Sequence, residues 1–256
     1  MRHYFYICIF AVIIFNACDS SQHQSHHADW SYSGENAPEH WAEIEKHSHC
    51  GGQHQSPINI IASRSLPAQT DNVLDIYYSD ETILHKVDNN GHSIQFSFEN
   101  GDSIIYNNKS YHLKQIHFHE HSEHLINGMI YPIEIHLVHM SKDNEIAVLA
   151  ILGQEGEESQ IFEFFESFLP LKMGESKLID LKQDLNDLFP DDRSFFSYVG
   201  SLTTPPCTEN VNWIVFKQSI ILSLEEVEKL RQYMPLNNYR NEQALNGRKV
   251  YFHQSL

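Results

Sequence analysis

The sequence predicts an α+β domain dominated by strands, and three observations carry that expectation. Between residues 73 and 220, apolar residues fall in many short runs of strand length. Asn-Gly pairs at 90–91, 100–101 and 127–128 punctuate these runs, and such pairs supply the positive-φ positions of tight hairpins. Helical spacing of apolar residues is confined to three segments.

In chain order, Arg2 is followed by an almost unbroken apolar run from Tyr4 to Phe15, then by Asn16-Ala17-Cys18. About a dozen apolar residues suit the hydrophobic region of a secretory signal and fall short of the roughly twenty that span a membrane. Residues 1–18 are therefore read as an export signal. Residues 19–28 are polar and include His23, His26 and His27; a solvated linker is preferred there to a zinc-gathering tail. Residues 29–256 read as one domain, with no internal repeat. Its expected strands are Leu74–Tyr78, Ser93–Phe98, Ser103–Tyr106, Lys114–His119, Ile133–Met140, Ala147–Leu152 and Val211–Phe216. Helical spacing marks Ile161–Phe168 and Leu178–Leu188, and Ser223-Leu-Glu-Glu226 is a capping box opening a third helix to about Tyr233.

The 17 Lys and Arg against 34 Asp and Glu give a net charge of −17, which argues against nucleic acid or an anionic membrane surface as partner. The histidines are more specific. Residues two apart on a strand share a face, so Gln115, His117 and His119 point one way and Ile116 and Phe118 the other. In Ile133–Met140, Glu134, His136 and Val138 share a face in the same manner. If these strands are neighbours, three imidazoles converge. Three histidines with one open position are the donor set of a catalytic zinc ion, whereas closed structural sites take four protein ligands. Gln115 and Glu134, each two residues before a ligand candidate, are placed to accept the second ring N–H and fix the tautomer. Spacing alone also admits His121, which continues the face of His117 and His119.

With these residues in view, the chain from about Trp30 to the C-terminus resembles the α-class carbonic anhydrases. The resemblance rests on Trp30-Ser-Tyr32, Pro38-Glu-His-Trp41, Gln55-Ser-Pro-Ile-Asn59, Asn89-Asn-Gly-His92, Gln115-Ile-His-Phe-His119, Ser122-Glu-His124, Glu134-Ile-His-Leu-Val-His139 and Ser201-Leu-Thr-Thr-Pro-Pro206, all in family order. It implies a central, twisted, mostly antiparallel sheet with peripheral helices, and Zn2+ on His117, His119 and His136. It further implies reversible hydration of carbon dioxide to bicarbonate and a proton by attack of zinc-bound hydroxide; carbonic anhydrase is itself the reference case for zinc lowering the pKa of bound water to about 7.

Residue by residue, the resemblance gives Glu123 and Thr203 the task of orienting the hydroxide. Thr204 and the Thr203 backbone contact the substrate. Val138, Val148, Leu202, Val211 and Trp213 form an apolar wall for carbon dioxide. Tyr32, Asn90, Gln95 and Gln115 line the side that orders water, and His92 is the proton shuttle. His121 is left out of the ligand set, and His124 and His139 match structural hydrogen-bonding positions. Glu120 and Met140 depart from the usual animal pattern and are expected to alter the packing behind the metal.

The resemblance also pairs Cys50 with Cys207 in a disulfide, which an oxidising compartment permits. Cys18 is then unpaired. Phe15-Asn16-Ala17-Cys18 resembles the lipobox of bacterial lipoproteins, with Phe15 where Leu is usual, and implies acylation of Cys18 and membrane attachment; ordinary signal cleavage is the alternative. Either route places the protein in the periplasm of a Gram-negative bacterium. Zinc capture by an exported histidine-rich protein is the competing class of function. It requires no Glu123–Thr203 pair, shuttle or apolar wall.

Overall fold

A computed structural model describes residues 30–44, 48–68, 74–99 and 101–255. The export signal, the linker and Cys18 lie outside the described residues. So does Asn100 of the middle Asn-Gly pair, while Gly91, Asn127 and Gly128 all take positive φ, as those turns require.

Most of the chain builds a 13-stranded mixed sheet. At its centre Lys109–His119 pairs antiparallel with Ile133–Met140, which pairs antiparallel with Ile146–Glu155. The next neighbour, Glu209–Phe216, runs parallel to Ile146–Glu155 and antiparallel to Phe195–Ser201. On the other side Ile94–Phe98 joins Lys109–His119, followed by Thr82–Asn89 and the edge strand Ser176–Gln183, all antiparallel. Register decides the site: His117 lies opposite both His136 and Gln95.

The strand faces separate two chemistries. Ile116 and Phe118 enter an apolar layer with Phe96, Phe162 and Phe165, the Phe118 and Phe165 rings standing 5.1 Å apart edge to face. Phe162 and Phe165 come from the helix Gln160–Glu166, which covers this side. The opposite face carries the histidines beside a second apolar cluster containing Val148, Val211 and Trp213.

Two of the three expected helices form. Leu224–Arg231 starts with the capping box: Ser223 Oγ accepts the Glu226 N–H and Glu226 Oε2 accepts the Ser223 N–H at 2.7 Å. The other oxygen of Glu226 accepts the Ser159 N–H at 2.9 Å, so one buried carboxylate joins the starts of both helices.

The expected helix Leu178–Leu188 does not exist. Ser176–Gln183 is a strand paired with Thr82–Asn89, and only Asn186–Leu188 turns as a short 3-10 segment. Leu178 is 85% exposed and Leu181 44%, while Leu185 and Leu188 are fully buried, so the four residues of the helical stripe do not share one face. The segment is held instead by backbone bonds to the sheet edge, a case of tertiary pairing overriding local spacing. Its partner Thr82–Asn89 was not expected as a strand, because a register shift between Leu84 and Lys86 breaks the two-residue period.

Cys50 and Cys207 form a disulfide across 157 residues. Among the described residues no helix is long and apolar enough to cross a membrane.

Candidate metal and catalytic site

His117, His119 and His136 form a group in which each ring offers a nitrogen within 4.8 Å of the others. The remaining ring nitrogens are engaged elsewhere. His117 Nδ1–H donates to Gln115 Oε1 at 2.8 Å, and His119 Nδ1–H to the Asn238 carbonyl at 2.6 Å. His136 Nε2–H donates to Glu134 Oε1 at 2.8 Å. These bonds leave Nε2 of His117, Nε2 of His119 and Nδ1 of His136 grouped together, with His136 Nδ1 3.3 Å from His117 Nε2. His119 Nε2 is buried without a hydrogen-bond partner, a costly arrangement unless a cation accepts its lone pair. The donor set fits a metal ion that takes three neutral imidazoles.

The electrostatics favour neutral rings. Burial lowers the pKa of all three histidines; His119 falls to about 4, and His117 is lowered further by the charges of His119 and His136. Burial alone would raise Glu134, but the adjoining His124 and His136 outweigh it and hold this carboxylate well below its usual range. Glu134 Oε2 also accepts the backbone N–H groups of Glu123 and His124, at 2.8 and 2.7 Å.

Glu123 is buried next to this group, with Oε2 3.6 Å from His119 Nε2. Burial raises its pKa to about 7, opposed by the charge of His136, the Thr203 hydroxyl and the Arg240 N–H, which donates to Oε1 at 2.9 Å. Thr203 itself is buried. Its loop is tied by the Leu202 N–H to Thr208 O and by the Cys207 N–H to Thr204 O, and ends at the disulfide. The Arg240 guanidinium donates to Gln55 Oε1, Ser56 O and Cys50 O, joining that disulfide to the residue whose N–H holds Glu123.

Val148, Val211 and Trp213 are buried in one cluster, with Val138 and Leu202 half-buried against it. The Trp213 ring stands 4.9 Å from that of His136. Across the site, Gln95 is half-buried opposite His117 and Tyr32 is buried. Asn90 is exposed and its Oδ1 accepts the N–H groups of His92 and Ser93, so this side chain shapes the turn. The His92 ring is stacked on Trp30 at 3.6 Å.

His121 is not in the ligand group. The strand ends at His119, which breaks the two-residue period, and the His121 side chain is 49% exposed. Glu120 is buried with its carboxylate 3.3 Å from Arg231 Nε, so an ionic tie to the helix Leu224–Arg231 stands where an aromatic residue was the pattern. Met140 is half-buried at the end of its strand.

Several residues of the site escaped sequence reasoning. Asn238 supplies the carbonyl for His119, and Tyr198 and Ser56 extend the chain from His124: His124 Nε2 to Tyr198 OH at 2.7 Å, then to Ser56 Oγ at 2.8 Å. Arg240 also belongs here. None has a spacing that points to the ligands; each arrives from more than 60 residues away in the chain, as Asn238 does from His119 with 119 intervening steps.

A strand-built fold that brings three imidazoles together beside an apolar cluster defines a class of protein able to hold a metal ion on histidines. The chain belongs to the eukaryotic-type carbonic anhydrase family, whose family model matches residues 36–254. A carbonic anhydrase of Klebsiella pneumoniae is 37% identical over 225 residues, covering 86% of this chain and 89% of that protein. One from Neisseria gonorrhoeae is 34% identical, covering 93% and 94%. The solved α-carbonic anhydrase of Thermovibrio ammonificans, in complex with the inhibitor sulfanilamide, superposes with a TM-score of 0.82 at 38% identity, covering 87% of this chain and 98% of that one. The protein is an enzyme of this family, and carbon dioxide and bicarbonate are the substrates the family implies.

Proposed function

We propose that this carbonic anhydrase is zinc-dependent, with His117, His119 and His136 as ligands, Glu123 and Thr203 orienting the nucleophile and His92 carrying the proton away. The observation that supports the ligand set is the buried, unpartnered Nε2 of His119, beside two imidazoles whose other nitrogens are bonded outward. Zinc on three neutral imidazoles lowers the pKa of the water it binds into the neutral range, the effect for which carbonic anhydrase is itself the reference case.

The remaining work falls to the chain. A hydroxyl accepts a hydrogen bond in a defined direction once its own hydrogen is committed. Thr203, with its hydrogen directed to the Glu123 carboxylate, would accept a hydrogen bond from the nucleophile that the metal supplies and so orient it toward carbon dioxide. Val138, Val148, Leu202, Val211 and Trp213 present carbon dioxide with an apolar surface that water does not contest. The Thr203 N–H and Thr204 steady the bicarbonate that forms. The net change is carbon dioxide plus water to bicarbonate plus a proton. That proton leaves through water ordered by Tyr32, Asn90, Gln95 and Gln115 to His92, histidine being the side-chain type suited to proton shuttling near neutral pH.

Stopped-flow hydration of carbon dioxide by the purified protein, beside His117→Ala with metal content measured, tests the reading. Activity in the zinc-loaded protein and its loss in the variant are expected. Zinc-loaded protein without hydration would transfer the assignment to metal binding alone.

Residues 1–18 are proposed as the export signal, 19–28 as the linker and 29–256 as the catalytic domain, delivered to the periplasm. Acylated Cys18 would fasten it to a membrane. Cys18→Ser should move the protein from the membrane to the soluble periplasmic fraction, and an unchanged distribution would remove the anchor.

A further inference from the structure

Asn238 belongs to no helix or strand, yet it is fully buried and bonded in four directions. Its backbone carbonyl accepts His119 Nδ1–H at 2.6 Å. Its Oδ1 accepts the Glu120 N–H at 2.8 Å, and its Nδ2 donates to Phe118 O at 2.9 Å and to His92 O at 3.2 Å. An N–H faces the amide oxygen and two carbonyls face the amide nitrogen, so only one orientation of the carboxamide satisfies the set.

One side chain thereby ties the strand bearing His117 and His119 to the turn bearing His92. Within the turn, Asn90 Oδ1 receives the His92 and Ser93 N–H groups and Asn89 Oδ1 receives the Gly91 N–H, while Asn89 Nδ2 donates outward to Leu171 O at 2.9 Å and Tyr233 O at 2.6 Å. These bonds anchor the start of the turn at Asn89, three residues before His92, and none of them reaches the strand Lys109–His119. Ser93 Oγ, which donates to Phe118 O at 2.8 Å, tethers the following residue to the same strand, and the His92 carbonyl is held by Asn238 Nδ2.

We propose that Asn238 is a positioning residue for proton exit: its carboxamide holds the His92 backbone at a fixed place relative to the metal ligands, and so sets the path the proton must cover. The inference rests on the reading of His92 as the shuttle. Transfer to a positioned group depends steeply on geometry, and a displacement of about 1 Å can cost about a hundredfold.

Asn238→Asp tests it, because the backbone carbonyl to His119 and the acceptor for Glu120 are kept while the donor to Phe118 O and His92 O becomes an oxygen that repels both. Asn238→Ala removes the side-chain bonds without repulsion and is measured in parallel. Turnover in weak buffer should fall on the order of tenfold in both, toward the value of His92→Ala. kcat/KM for hydration should change little, since it reports the steps through bicarbonate formation and not the later loss of the proton. Small imidazole buffers should restore kcat, and zinc content should match the parent. A second readout needs no metal: the His92 ring protons, shifted by the Trp30 ring stacked on them, should move toward ordinary histidine positions in Asn238→Asp.

Parental turnover in weak buffer for both Asn238 variants, with His92→Ala impaired, would overturn the inference and leave the shuttle intact. Parental turnover in His92→Ala would remove the shuttle and the inference together. A parallel loss of kcat and kcat/KM without imidazole rescue would assign Asn238 to His119 alone and overturn the inference too.

Discussion

His124 Nδ1 lies 2.6 Å from Glu134 Oε1, the same oxygen that receives His136 Nε2–H at 2.8 Å. One buried carboxylate oxygen therefore orients the His136 imidazole and anchors a second histidine, whose far nitrogen continues to Tyr198. Glu134→Gln replaces a charged acceptor by a neutral amide at this junction. Zinc affinity should weaken by about 10- to 100-fold, the usual effect of losing a partner of a ligand histidine. Competition with a chelator of known affinity measures it, and an unchanged dissociation constant would refute the role.

Thr203 and Glu123 act as a unit in the proposed chemistry, so their variants should not be additive. Thr203→Ala and Glu123→Gln should each lower kcat/KM by roughly a hundredfold, and the double variant little further, while zinc content stays at one equivalent. Multiplicative losses in the double variant would show that the two side chains work separately.

His139 gives the fold a pH dependence that is independent of the ligands. Its Nδ1–H donates to Leu137 O at 2.9 Å and its Nε2 faces Tyr78 OH at 2.7 Å, with the ring fully buried. Burial lowers its pKa from 6.5 to about 3. Between these values the unfolded chain binds a proton there and the folded chain does not. This contribution to stability is therefore complete above pH 6.5 and lost as pH falls toward 3, at about 1.4 kcal/mol per pH unit. His139→Phe should flatten denaturant-measured stability against pH by one proton across that window. An unaltered slope would exclude His139 as its source.

The Cys50–Cys207 bond closes a loop with a sequence separation of 157 and ends the segment that carries Thr203 and Thr204. Its loss should cost about 2–4 kcal/mol. Thermal melting of Cys50→Ser/Cys207→Ser against the parent checks this, and equal melting temperatures under oxidising conditions would dismiss a stabilising role.

Much of the candidate site was legible because strand geometry is local. A two-residue period puts Gln115, His117 and His119 on one face, and Glu134 and His136 on another, whatever surrounds them. The capping box at Ser223 and Glu226 is equally local, and it forms as written. The same logic failed where local spacing was all it had. Leu178–Leu188 carries a helical stripe but begins in a sheet-edge strand that ends at Gln183, and His121 continues a strand face on a strand that has already ended.

By itself the amino-acid sequence determined which side chains share a face and which donors are suited to one metal ion. Only the tertiary structure decided that His117 stands opposite His136, that Asn238 supplies the carbonyl for His119 and that Glu120 meets Arg231. The reason is physical. Backbone geometry repeats every two residues within a strand and is written in the chain's own spacing, whereas register and long-range partners follow from how the sheet and its apolar layers pack as a whole.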